Sequence, residues 1–151
     1  MTRFDILSVE EKNKVTGFKV EKSKIVFVIT RILTRLIIAR YLKIIPSQIC
    51  FSYGTYGKPK IRPEYNLHFN IAHSEDIIVI AIANQEIGVD IECLKIIDNS
   101  DEIAKIAYTK KEYQALIGDI ESKSENFLHI WVKKEALLKA VGVGICDDMK
   151  N

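Results

Sequence analysis

Proline and glycine are scarce, three and seven residues among 151, so no stretch of this chain has the make-up of a long flexible linker. Low-complexity tracts and internal repeats are missing too. Cysteine is as rare as proline: Cys50, Cys93 and Cys146 are odd in number, widely separated and without metal-ligand spacing. That argues against a disulfide framework and for reduced thiols in a cytoplasmic protein, each expected to be a small buried hydrophobe. An excess of one charge is absent as well. The 22 Lys and Arg against 20 Asp and Glu leave a net charge of +2, which gives no general reason to expect nucleic acid as a partner. The longest apolar run, Ile25 to Ile38, is too short for a membrane span and is broken by Arg31 and Arg35, so no membrane partner is expected. Met1 to Glu10 lacks a basic stretch followed by an apolar core, and no secretory signal is expected there.

What is present is 48% apolar and 28% charged residues, the profile of one compact soluble unit, or of two small lobes sharing a core. Glu10 to Lys24 is polar and predicts a short helix and loop. From Ser23 as N-cap to Tyr41, Val28, Ile32, Leu36 and Ile29, Leu33, Ile37 recur at helical spacing and predict a long buried helix. Arg31 and Arg35, one turn apart, can reach the same place, either paired with acids or holding phosphate. Ile49 to Tyr53 reads as a strand, followed by the tight turn Tyr56-Gly57-Lys58-Pro59. Leu67 to Ala72 and Ile77 to Ala83 predict an antiparallel hairpin around Ser74-Glu75-Asp76, with His73 at the first strand's exit.

A third strand is expected at Gly88-Val89-Asp90-Ile91-Glu92, where alternation places Asp90 and Glu92 on one face and Val89 and Ile91 on the other. Two carboxylates held side by side repel, and a divalent cation turns that cost into a gain. Mg²⁺ prefers such oxygens together with water and phosphate. Further on, Ser100 to Ala107 suits a short helix, and Thr109-Lys110-Lys111-Glu112 is a capping-box pattern that already explains Glu112. A polar loop over Gly118 to Glu125 leads into a last helix, about Asn126 to Val141, closed by Gly142. On that helix Trp131, Glu135 and Lys139 stand four apart and form one stripe, with Phe127, Leu128, Leu138 and Val141 around it. Glu135 is the third acid that a metal site needs, and Lys139 can offset charge on a departing phosphate oxygen.

Four motifs, Gly57-Lys58-Pro59, Phe69-Asn70-Ile71-Ala72-His73-Ser74, Gly88-Val89-Asp90-Ile91-Glu92 and Trp131 through Lys139 (WVKKEALLK), occur in the order and spacing found in the 4′-phosphopantetheinyl transferases of the surfactin-synthetase-activating type. The sequence resembles that family from about Ile25 to Ile145. The resemblance implies an α/β (α+β) fold of two pseudo-twofold lobes, residues 1–85 and 86–151, the second incomplete at its carboxyl end. It implies transfer of the phosphopantetheine arm of coenzyme A to a serine of an apo acyl or peptidyl carrier protein, releasing adenosine 3′,5′-bisphosphate. By motif match Asp90, Glu92 and Glu135 would hold Mg²⁺, Lys139 would meet the pyrophosphate, and Glu135 or a metal-bound water would take the serine proton. Arg35, Lys58 and His73 would match positions that bind the nucleotide. Ala72 stands where the family often has serine, removing one hydroxyl contact. The short second lobe suggests self-association to cover apolar faces and strand edges. Two other readings compete: a non-catalytic remnant that binds coenzyme A or a carrier protein, and a Mg²⁺-dependent nuclease, which the near-neutral charge disfavours.

Overall fold

The computed structural model describes residues 3–117 and 122–143. Cys146, the end of the second lobe and the first half of the polar stretch Gly118 to Glu125 lie outside the described residues, and the rest of that stretch largely belongs to the last helix, which starts at Lys123. The chain forms two compact units, Met1–Phe51 with Ile61–Tyr65, and Ser52–Lys60 with Asn66–Asn151.

In the first unit, helix α1 (Val9–Thr16) opens with a capping box: Ser8 Oγ accepts from the Glu11 amide at 3.2 Å, and Glu11 Oε2 accepts from the Ser8 amide at 2.9 Å. Helix α2 (Glu21–Leu42) starts earlier than expected. Val20, extended and with no side-chain cap, precedes it, and Ser23 lies inside the first turn. The buried face of α2 also differs from expectation: Thr30, Thr34, Arg35, Ile38 and Ala39 are inside, while Ile29, Leu33 and Leu36 are 44%, 39% and 42% exposed. Apolar residues occur all round this helix, so spacing alone does not choose a face. Polar partners choose it. Arg35 donates from Nε to Glu11 Oε2 at 2.9 Å and from Nη1 to the carbonyls of Pro46 (3.1 Å) and Ile49 (2.8 Å), and its guanidinium lies over the Phe51 ring at 5.0 Å. Arg31 also reaches Glu11, at 3.8 Å, so the two arginines do meet in one place, around a buried acid.

In the second unit, β1 (Ser52–Tyr53) and β2 (Pro59–Lys60) form a minimal antiparallel pair around the Gly57 turn, where φ is +80°. The longer strand expected from Ile49 is cut short, and the Ile49 carbonyl goes to Arg35 instead. Strands β3 (His68–Ser74) and β4 (Ile77–Ala83) form the expected hairpin, in register from His68↔Ala83 to Ser74↔Ile77, with Glu75 at φ +49° in the turn. Helices α3 (Ser100–Ala107), α4 (Lys110–Ile117) and α5 (Lys123–Val141) enclose a core of Ala104, Ala107, Tyr108, Leu116, Phe127 and Leu128. Burying a large apolar side chain there contributes roughly 1.5–3 kcal/mol. Tyr108 donates its hydroxyl to the Phe127 carbonyl at 2.6 Å, and burial, then Glu112, push the phenol's pKa upward. Thr109 and Glu112 make the expected capping box at α4, and Gly142, at φ +82°, ends α5 as expected.

Cys50 and Cys93 are exposed free thiols, not buried hydrophobes as expected. The Cys93 amide is tied to Ser74, which fixes the backbone while leaving the side chain outside. No described helix is long and apolar enough to cross a membrane.

Candidate functional site

The segment carrying Asp90 and Glu92 is not the third strand expected of it. Residues 88–93 have no backbone ladder with β3, and side chains of β3 hold them instead. Asn70 Oδ1 accepts from the Val89 amide at 2.9 Å, and Ser74 Oγ accepts from the Cys93 amide at 3.0 Å. Both anchors are four residues apart on β3 and on the segment, so the segment runs in the direction of β3. Ser74 also donates to Glu92 Oε2 at 3.3 Å, which orients that carboxylate. Asn70 is buried on β3, where an unpaired amide is costly, and this contact accounts for it.

On its other side the segment meets α5 at Gly88. A Cβ built there would lie 1.8 Å from the Ala136 carbonyl oxygen and 2.4 Å from the Ala140 amide nitrogen, so only glycine permits the approach. Two residues on, Asp90 Oδ1 accepts from Lys139 Nζ in a close ion pair, with Asp90 only 7% exposed at its side chain. Glu135, one turn before Lys139, has its pKa raised by burial first, then by Asp90, with Lys139 opposing and Glu92 adding to the rise. Asp90 and Lys139 are therefore in contact, and Glu135 lies near enough to feel both acids of the extended segment, although among the described residues no contact joins all three carboxylates. Lys134, on the same helix, pairs with Glu112 at 3.0 Å. Burial alone would raise the Glu112 carboxyl, but Thr109 and Lys134 hold it below its ordinary value.

The donors suit a small hard dication, being carboxylate oxygens throughout. Asp90 Oδ2 and Glu135 Oε1 are buried without a hydrogen-bond partner, the condition that a cation would relieve. Among the described residues no three His, Cys, Asp or Glu side chains are assembled in ligand geometry, and the Lys139 ammonium occupies one oxygen of Asp90. Beside the acids lies a cavity of about 370 Å³ lined by Asp90, Ile91, Glu92 and Leu94 of the segment and by Glu125, Leu128, His129, Val132 and Lys133 of α5.

The residues expected to bind nucleotide fare differently. His73 is exposed near the end of β3, opposite Ile78. Lys58 is not held outward on its loop as expected: only 9% exposed, it donates to Glu86 Oε2 at 2.6 Å, the Ala140 carbonyl at 2.7 Å and the Ile87 carbonyl at 3.3 Å. Arg35 is 1% exposed and engaged with Glu11 and two carbonyls. Both cations have internal partners because a buried charge without them is prohibitive. Sequence reasoning missed Glu86, Asn70 and Ser74 as contributors. Glu86 gathers Lys58, Lys60 and His68, and its carboxyl pKa is lowered, foremost by the bond from Lys58.

The family model described as 4′-phosphopantetheinyl transferase, N-terminal, matches residues 1–86, and that of the 4′-phosphopantetheinyl transferase superfamily matches residues 86–151. The chain belongs to the 4′-phosphopantetheinyl transferase family, with a mixed α/β fold. It is 36% identical over 140 residues to 4′-phosphopantetheinyl transferase Sfp of Bacillus subtilis, covering 92% of this chain and 62% of that protein. It is 32% identical over 145 residues to 4′-phosphopantetheinyl transferase HetI of a Nostoc species, covering 92% and 61%. The L-aminoadipate-semialdehyde dehydrogenase-phosphopantetheinyl transferase of Mus musculus is 29% identical over 156 residues, covering 94% and 50%. The chain thus spans about half to three fifths of the length of these curated relatives.

Proposed function

We propose that this chain transfers the 4′-phosphopantetheine group of coenzyme A to a serine of an apo carrier protein, leaving adenosine 3′,5′-bisphosphate. Asp90, Glu92 and Glu135 would hold Mg²⁺, which when bound supplies charge neutralisation at the diphosphate. What carries the reading is the pair of buried, unpartnered carboxylate oxygens on Asp90 and Glu135 beside Lys139. Lys139 would leave Asp90 for a phosphate oxygen, and Glu135, one turn before it on α5 with Oε1 buried, would be the base that takes the serine proton. His73, exposed near the end of β3, is available to the nucleotide. The 370 Å³ cavity beside Asp90 and Glu92 has both aliphatic and polar lining, as suits the pantetheine arm, an aliphatic chain interrupted by amides and a hydroxyl. Self-association belongs to the same proposal, because Ile25, Ile29, Leu33 and Leu36 leave an apolar stripe of α2 exposed; sedimentation as a stable monomer would remove it.

The test is mass spectrometry of an apo carrier protein incubated with the chain, coenzyme A and Mg²⁺. A mass increase of one phosphopantetheine group, lost in Asp90→Ala and Glu135→Ala, is expected; a gain that survives either substitution refutes the site. One observation favours a second reading, binding of coenzyme A or a carrier without turnover: the ammonium of Lys139 already sits on Asp90. Under that reading coenzyme A binds and the carrier's mass is unchanged.

A further inference from the structure

Lys58 stands on the turn between β1 and β2, fixed by the Gly54 amide on its own carbonyl at 3.0 Å and by the Gly57 amide on the Gly54 carbonyl at 2.9 Å. Its three N–H donors match its three acceptors, Glu86, Ile87 and Ala140, and none is left over. The acceptors come from two places. Glu86 and Ile87 lead directly into Gly88 and so into Asp90. Ala140 follows Lys139 in the last turn of α5, where carbonyls lack helical partners and a cation is favoured by the helix dipole. The stem of Lys58 lies under the αL residue that ends this helix: a Cβ on Gly142 would come within 3.3 Å of Lys58 Cδ. Burying an ammonium is costly unless it is fully bonded, so this placement requires all three contacts at once.

We infer that Lys58 is a positioning residue that fixes the sliding register between residues 86–90 and α5, and so brings Lys139 and Glu135 opposite Asp90. Gly88 lets the two elements touch; Lys58 sets where along α5 they touch. This role deepens the proposed transferase reading, yet it is readable without any turnover. It also separates Lys58 from a phosphate ligand, because binding a phosphate through Nζ breaks contacts that hold the site's two halves together.

The experiment compares the full chain with Lys58→Met, which keeps the stem and removes the ammonium, and with Glu86→Gln, which keeps an acceptor for Lys58 at a half-exposed position and removes only its charge. Amide exchange in Leu138–Gly142 and at Val89 and Asp90 is expected to quicken about tenfold or more in Lys58→Met and by less in Glu86→Gln. Mn²⁺ affinity, followed by paramagnetic resonance, is expected to fall about tenfold or more in Lys58→Met and less in Glu86→Gln, because the acids lose their alignment, an effect of the order seen for residues behind metal ligands. Any loss of adenosine 3′,5′-bisphosphate affinity is expected to be shared by Glu86→Gln. The inference is overturned if Lys58→Met weakens the bisphosphate while exchange and Mn²⁺ affinity stay as in the wild type and Glu86→Gln is silent. If Lys58→Met does not fold, Glu86→Gln alone decides: unchanged exchange and unchanged Mn²⁺ affinity overturn it. Wild-type chain that ignores both Mn²⁺ and the bisphosphate would count against the transferase reading, while the exchange result would still report on the register.

Discussion

Substituting Gly88 by alanine perturbs the closest backbone approach between residues 86–90 and α5 that the site depends on. The new Cβ would sit 1.8 Å from the Ala136 carbonyl oxygen, where ordinary contact begins at 3.4 Å. Segment and helix must therefore move apart until that gap reaches ordinary contact, and both colliding atoms are backbone, so no side chain can give way. Overpacking of this kind costs about 1–3 kcal/mol or more. Glu135 and Lys139 ride on the helix and Asp90 on the segment, so the same displacement opens the acid cluster; a misplacement near 1 Å costs on the order of 10²-fold in rate. Urea unfolding of Gly88→Ala should show a lower midpoint at unchanged slope, and carrier labelling should fall by about two orders of magnitude even at temperatures where the variant is folded. A variant with the wild-type midpoint and wild-type labelling would refute the reasoning, since neither element could then be in backbone contact.

Three further outcomes follow from particular contacts. Arg35→Ala removes the nearer of the two arginines from the buried Glu11 carboxylate and the donor of the Pro46 and Ile49 carbonyls, and should cost about 3–5 kcal/mol by denaturant unfolding; a loss no larger than that of an exposed substitution would count against the buried pair. Asn70→Ala leaves the Val89 amide without its acceptor and should cost about 1–3 kcal/mol, with faster exchange at Val89; a Val89 amide as protected as before would count against the tether. Glu135→Gln removes a carboxylate whose pKa is raised in the fold, foremost by burial. A group raised in this way favours the fold below its unfolded pKa and loses that contribution as pH rises through the folded value. The variant should therefore melt above the wild type at neutral pH, with the gain vanishing below the ordinary carboxylate range, and Mg²⁺ should raise the wild type's melting temperature more than the variant's.

Local chemistry was legible in the sequence. The two β-rich runs on either side of the polar Ser74-Glu75-Asp76 marked the β3–β4 hairpin, Thr109 and Glu112 marked a capping box, and Gly142 marked the end of α5. Spacing paired Asp90 with Glu92 and Glu135 with Lys139, each pair within one element, and only the motif resemblance joined the two pairs. What the sequence concealed depends on partners distant along the chain. The face that α2 buries is decided by Glu11 and by the carbonyls of Pro46 and Ile49, not by the helix's own periodicity. Lys58 reads as an outward lysine before proline until its acceptors 28 to 82 residues away are known. The alternation in residues 88–92 predicts a strand, yet the ladder is replaced by Asn70 and Ser74, polar side chains whose role no local rule announces.

The most direct measurement is a calorimetric titration of the chain with Mg²⁺ in the presence of adenosine 3′,5′-bisphosphate, repeated for Asp90→Asn, Glu92→Gln and Glu135→Gln. If the three acids share one cation, the wild type binds a single Mg²⁺ and each substitution weakens it by an order of magnitude or more. Binding of equal strength in all four proteins would mean that the cluster around Lys139 holds no metal.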